Sequence, residues 1–135
     1  MAGVDDRRSV LIVDDHEPTR LLVGRIVSQE LGARVALAGT CEDALRLAEE
    51  KAYDVILLDL LMPGIGGYEV LKELRRASAN TATPILVVSV LSDRETKELC
   101  KAAGADGFLV KPVERRSLLQ AVKALLAARG RPRHT

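Results

Sequence analysis

A chain of 135 residues and 14.6 kDa is one domain's length, enough to bury a core without disulfides or a structural metal. With 47% apolar and 29% charged residues it is not a disordered chain, and no apolar run reaches the roughly 20 residues that a bilayer crossing needs. Twenty basic against 19 acidic residues leave a net charge of +1, and the only aromatics are Tyr53, Tyr68 and Phe108, which argues against a nucleic-acid surface.

In chain order, residues 1–8 read as a polar tail without the apolar stretch of a signal peptide, so a cytoplasmic location is expected. Residues 10–13 (Val-Leu-Ile-Val) are a first strand that ends at Asp14 and Asp15. Pro18 suits a first helical turn, Leu22, Ile26, Val27 and Leu31 recur at helical spacing, and Gly32 supplies a C-terminal cap. Residues 35–38 are a second strand. Thr40, with Asp43 three residues on, opens a second helix whose buried face is Cys41, Ala44, Leu45 and Ala48.

Residues 55–58 (Val-Ile-Leu-Leu) are the most apolar strand and end at Asp59. The turn formers of residues 62–67 follow, then a third helix from about Tyr68 through Leu71 and Leu74, then a small, polar connecting loop over 77–83. Residues 85–88 are a fourth strand running into Ser89. Ser92 and Glu95 form a capping box for a fourth helix closed by Gly104. Phe108, Leu109 and Val110 lead into Lys111 and Pro112, and a last helix over about 114–129 buries Leu118, Val122, Leu125 and Leu126. Residues 130–135, with His134, read as a basic tail. The domain is therefore expected over 9–129, between tails at 1–8 and 130–135.

Five strands alternate with five helices. Four strands are apolar throughout rather than alternating, which signals helices on both faces of the sheet. With right-handed crossovers this is an α/β chain, a three-layer sandwich around a parallel sheet. Cys41 and Cys100 are far apart with no His or Cys beside them, and read as core thiols rather than a metal or disulfide pair.

Open α/β sheets bind ligands beyond the carboxyl ends of their strands. Four of the five strands deliver chemistry there: Asp14 and Asp15 from the first, Asp59 from the third, Ser89 from the fourth and Lys111 from the fifth. The second ends in Ala38 and Gly39 and offers no functional group. Carboxylates about 4 Å apart repel by about 4 kcal/mol at an effective dielectric near 20, so crowding them raises a pKa or recruits a cation. The ligands are hard oxygens, too few for a calcium cage, and Mg2+ is the natural ion. Lys111 adds a point charge able to hold a phosphate oxygen.

Residues 13–15 (Val-Asp-Asp), 59–64 (Asp-Leu-Leu-Met-Pro-Gly), Ser89 and 104–112 (Gly-Ala-Asp-Gly-Phe-Leu-Val-Lys-Pro), at these intervals, resemble the receiver domain of two-component response regulators of the chemotaxis type. The likeness covers about residues 9–129. It implies a flavodoxin-like fold with strand order 2-1-3-4-5. It implies that Asp59 is the phosphoacceptor for a histidine kinase or a histidine phosphotransfer protein. Asp15, Asp59 and the Leu61 backbone carbonyl would hold Mg2+ directly, and Asp14 would act mainly through a water. Ser89 and Lys111 would contact the phosphoryl group, with Ser89 and Phe108 as switch residues and the Lys111–Pro112 bond cis. An unidentified downstream protein would read the surface of the fourth helix, fifth strand and fifth helix, with no nucleic acid or membrane as a direct partner.

Leu61 and Leu91 flank the expected phosphoryl site and cannot hydrogen-bond an attacking water, so slow self-dephosphorylation is expected. His16 reads as a loop residue beside the site rather than a metal ligand. Competing readings are a receiver excised from a hybrid kinase or longer regulator, a receiver that works without phosphorylation, and an aspartyl-phosphate phosphohydrolase. The last would want a second Asp two residues after Asp59, where Leu61 stands. A signalling domain rather than an enzyme is therefore expected.

Overall fold

The computed structural model describes residues 7–62, 64 and 66–129, so the expected tail at 130–135, most of the tail at 1–8, and Pro63 and Ile65 of the turn lie outside the described residues. The elements run β1 (Ser9–Val13), α1 (Glu17–Leu31), β2 (Arg34–Ala38), α2 (Cys41–Glu50), β3 (Val55–Leu58), α3 (Gly66–Ala77), β4 (Ile85–Ser89), α4 (Arg94–Ala102), β5 (Gly107–Val110) and α5 (Arg115–Arg129). All strand pairs are parallel, in the order β2-β1-β3-β4-β5. No helix among the described residues is long and apolar enough to cross a membrane.

Alternate residues of one strand face opposite sides of a sheet, and the core divides accordingly. Leu11, Val13, Ile56, Leu58 and Val87 pack with Ala44, Ala48, Val70, Leu74 and Cys100 on the side of α2, α3 and α4. Val10, Ile12, Val55, Leu57, Leu86 and Val88 pack with Val23, Val27, Leu118 and Val122 on the side of α1 and α5. Cys41 and Cys100 are both buried, one on α2 and one on α4.

β1, β3 and β4 are buried along their whole length, but β5 is not. It is an edge strand with a neighbour on one side only, so the apolar run at 108–110 ends half-buried, with Val110 exposed. On α5, Leu118 and Val122 are buried while Leu125 and Leu126 only pack partly against the core.

Local chemistry sets most helix ends. Gly32 takes a left-handed conformation (φ 61°) after α1, and Thr40 accepts the Asp43 N–H at 3.1 Å to cap α2. The fourth helix departs from the expected Ser92–Glu95 box. Asp93 is its cap, accepting the Thr96 N–H at 3.0 Å. A carboxylate one residue on also complements the helix dipole, and hydrogen bonds from the Thr96 hydroxyl and N–H hold Asp93 below the usual carboxylate range.

The loop over 77–83 is pinned rather than merely connecting. Asn80 is fully buried; its Oδ1 accepts the Tyr53 N–H (2.7 Å) and the Thr83 hydroxyl (2.9 Å), and its Nδ2 donates to the Ala48 (2.7 Å) and Lys51 (2.9 Å) carbonyls. Asn80→Ala should cost about 2–3 kcal/mol, because it strands buried backbone partners. Urea unfolding should show a lower midpoint with an unchanged slope.

Candidate functional site

The parallel register carries the chemistry to one place. Val13 lies beside Leu58, so Asp14 and Asp59 leave adjacent strands side by side, and the Asp59 N–H bonds the Val13 carbonyl at 2.9 Å. Ser89 lies beside Val110, and the Lys111 N–H bonds the Ser89 carbonyl at 2.9 Å. Carboxylate oxygens of Asp14, Asp15 and Asp59 fall within 4.8 Å of one another. Asp14 and Asp59 are buried and Asp15 is exposed to solvent.

Lys111 is the internal counter-ion. Its Nζ donates to Asp14 Oδ2 at 2.8 Å and to Asp59 Oδ2 at 3.3 Å. The remaining oxygens of the buried pair are met by main chain: His16 N–H to Asp14 Oδ1 at 2.9 Å, Leu61 N–H to Asp59 Oδ1 at 3.2 Å. Burial pushes the Asp59 carboxyl up, Asp14 adds to the push, and the Leu61 N–H and Lys111 oppose it without cancelling it. Burial pulls the Lys111 ammonium down, but its hydrogen bonds and charge pairing with Asp14 and Asp59 outweigh that and raise it.

Three carboxylates against one ammonium leave excess negative charge when all are ionised. The donors are hard oxygens, buried on one side and open to water at Asp15. This donor set fits Mg2+, which takes one or two carboxylates and keeps several waters.

Asp14, Asp15, Asp59 and Lys111 converge. Ser89 is buried at the same strand end, but its Oγ accepts the Leu91 N–H of its own loop at 3.2 Å. Phe108 stands three residues before Lys111, half-buried, with the Lys97 ammonium 5.7 Å from its ring centre. Leu61 is half exposed beside Asp59. The Lys111–Pro112 peptide is cis. His16 caps α1, its Nδ1 accepting the Thr19 N–H at 3.3 Å.

Two positions that carry no reactive group matter here. A Cβ on Gly67 would lie 2.5 Å from Leu60 Cα and closer still to the Asp59 carbonyl oxygen. Only glycine lets α3 begin against the backbone that bears Asp59. The signal was the Gly-Gly pair at 66–67, which reads as turn chemistry. Only Gly66 has a positive φ (82°); Gly67 is needed for close approach. The other position is Arg20, whose Nη1 donates to the Asp14 carbonyl at 2.8 Å.

A family model described as the response regulator receiver domain matches residues 10–123. The protein PilH of Pseudomonas aeruginosa is 32% identical over 118 residues, which cover 87% of this chain and 97% of PilH. The sensory/regulatory protein RpfC of Xanthomonas campestris is 36% identical over 118 residues, which cover 86% of this chain but only 16% of RpfC. The receiver domain of the sensor histidine kinase PA1611 from Pseudomonas aeruginosa, solved with a magnesium ion in its active-site cleft, superposes with a TM-score of 0.81 at 27% identity, over 90% of this chain and 98% of that one.

Proposed function

The chain belongs to the response regulator receiver family, and from that premise we propose that it takes a phosphoryl group onto Asp59 from a histidine kinase or a histidine phosphotransfer protein. The observation that supports this most is the convergence of Asp14, Asp15, Asp59 and Lys111 from three strand ends. Asp14, Asp15, Asp59 and the Leu61 backbone carbonyl would hold Mg2+, which when bound supplies positive charge to the phosphoryl oxygens.

An Asp59 carboxylate oxygen attacks phosphorus, the bond from phosphorus to the donor imidazole breaks, and the imidazole leaves with the electron pair. The product is an acyl phosphate. Lys111 shifts from the two carboxylates to a phosphoryl oxygen, so its charge meets charge in transit at little reorganisation cost. Ser89 already spends its oxygen as an acceptor, which leaves its O–H to donate to the new group.

Phosphorylation adds about 1.5 to 2 negative charges. That charge shifts the population between two packings of the α4–β5–α5 face, with Ser89 and Phe108 as the moving parts and a downstream protein as reader. The receiver spans 9–129, acts in the cytoplasm, and is a phosphoacceptor rather than an enzyme with a separate substrate.

The test is intact mass after incubation with acetyl phosphate and Mg2+. The wild type should gain one phosphoryl group and Asp59→Asn none. Equal labelling of both, or of neither, counts against the assignment. Phosphoryl lifetime is a further check: Leu61→Asn, which can hydrogen-bond an attacking water, should speed decay of the labelled chain about tenfold. Unchanged decay would remove Leu61 from that role.

The RpfC match favours a second reading, a receiver working as one portion of a longer sensor protein. Its output would be onward transfer. Loss of the Asp59 label on adding a histidine phosphotransfer protein would support it.

A further inference from the structure

The end of β2, where Ala38 and Gly39 stand, offers no reactive group. It offers space, and Arg20 fills it. Arg20 lies in the first turns of α1 with its side chain only 17% exposed, Nη2 3.7 Å from Glu17 Oε2 and Nη1 2.8 Å from the Asp14 carbonyl oxygen. A Cβ on Gly39 would lie 2.8 Å from Nη1 and 3.2 Å from Cζ, so the absent side chain is what admits the guanidinium. On the other side of the same residue, the Asp14 N–H is taken by the Ala38 carbonyl at 3.1 Å.

The Asp14 carbonyl belongs to the planar peptide that joins Asp14 to Asp15. Holding that oxygen sets the plane from which Asp15 departs. Asp15 is the exposed member of the acidic trio; its neighbours are held through their own carboxylates, whereas among the described residues no such bond holds the Asp15 carboxylate. We infer that Arg20, seated over Gly39, is a positioning residue that fixes the Asp14–Asp15 peptide and so holds the Asp15 carboxylate where a divalent cation is bound. This rests on the reading that the three aspartates hold Mg2+.

Removing Arg20 alone mixes two opposed effects. Lost positioning weakens cation binding, while loss of a positive charge near carboxylates strengthens it. Two variants separate them. Glu17→Gln with Arg20→Met removes the pair and leaves the local net charge unchanged. Gly39→Ala leaves every charge in place and displaces only the flexible end of Arg20.

The experiment is calorimetric titration of the metal-free chain with MgCl2 well below its melting temperature, with hydrogen exchange of the His16 amide, which Asp14 Oδ1 accepts at 2.9 Å. The double variant should bind Mg2+ about tenfold more weakly, as loss of a residue behind a metal ligand typically does. Its His16 amide should also exchange faster. Gly39→Ala should move both readouts the same way by less, and Arg20→Lys, which keeps a donor for the carbonyl, should recover most of the affinity. A lower melting temperature with unchanged Mg2+ affinity in both variants would make Arg20 a structural tie and overturn the proposal. A wild-type chain that takes up no Mg2+ would sink the metal reading, and this role with it.

Discussion

Gly67→Ala should destabilise the chain by about 3 kcal/mol or more, at or above the upper end of the usual cost of overpacking. The added Cβ would meet the Leu60 Cα at 2.5 Å and the Asp59 carbonyl carbon at 2.9 Å. These atoms are backbone and cannot swing aside as a side-chain end can. Either the start of α3 lifts from the sheet, breaking the 2.9 Å bond from the Gly67 N–H to the Leu60 carbonyl, or the turn after β3 moves and takes Asp59 with it. Both disturb Asp59, the proposed phosphoacceptor, so the variant should also label poorly under conditions where it is folded. Gly66→Ala is the control: its φ of 82° strains a side chain, but a Cβ there meets nothing within 4 Å, so about 1 kcal/mol is expected. Urea unfolding of the two variants decides. Equal, small losses would mean that the approach of α3 to Asp59 is not tight in solution.

Lys111→Met should cut labelling by acetyl phosphate by about 10²–10³, the usual loss on removing a preorganised charge from a transition state. It should also cost stability, by about 2–3 kcal/mol. The Lys111 and carboxylate side chains are 14% and 6% exposed, and removing one partner of a buried ion pair leaves the other charge uncompensated. The loss should depend on pH with a definite sign. Burial holds Asp59 above its ordinary value in the fold, so the fold binds that proton more tightly than the unfolded chain does. Stability from this group is fully present below the ordinary aspartate value of about 3.9 and is lost as pH rises through the raised one. Without Lys111 the carboxyl rises further and the window widens upward. Metal-free Lys111→Met should therefore regain stability on mild acidification, and Asp59→Asn added to it should restore part of the loss at neutral pH, the buried Asp14 remaining without its ammonium. A double variant no more stable than Lys111→Met would mean that the ammonium is not compensating Asp59.

Much of this molecule is legible in the residue order because its signals are local. Apolar runs at 10–13, 55–58 and 85–88 mark strands buried on both faces. Gly32 and Thr40 mark helix ends through their own backbone and side-chain chemistry. The residues at the carboxyl ends of four strands, Asp14, Asp15, Asp59, Ser89 and Lys111, are visible as soon as the strands are. Less local features are not legible. Asp93 rather than Ser92 caps α4, because neighbouring cap residues compete and the difference between them is small. The run at 108–110 looks like the other strands but sits at an edge, since strand order is not written in any one strand. Asn80 reads as a loop residue, yet its four partners come from segments 3 to 32 positions away.

What the sequence by itself determined is therefore the set of elements and the chemistry carried at their ends, since period, caps and turn residues act over a few positions. Tertiary structure alone decided that Lys111 reaches Asp14 across 97 positions and Asp59 across 52. It also decided that Asp14 and Asp59 are buried while Asp15 is not, and that the empty places at Gly39 and Gly67 bear on the site. Those outcomes depend on parallel register and on which atoms approach within van der Waals distance, and both arise only when distant strands pack.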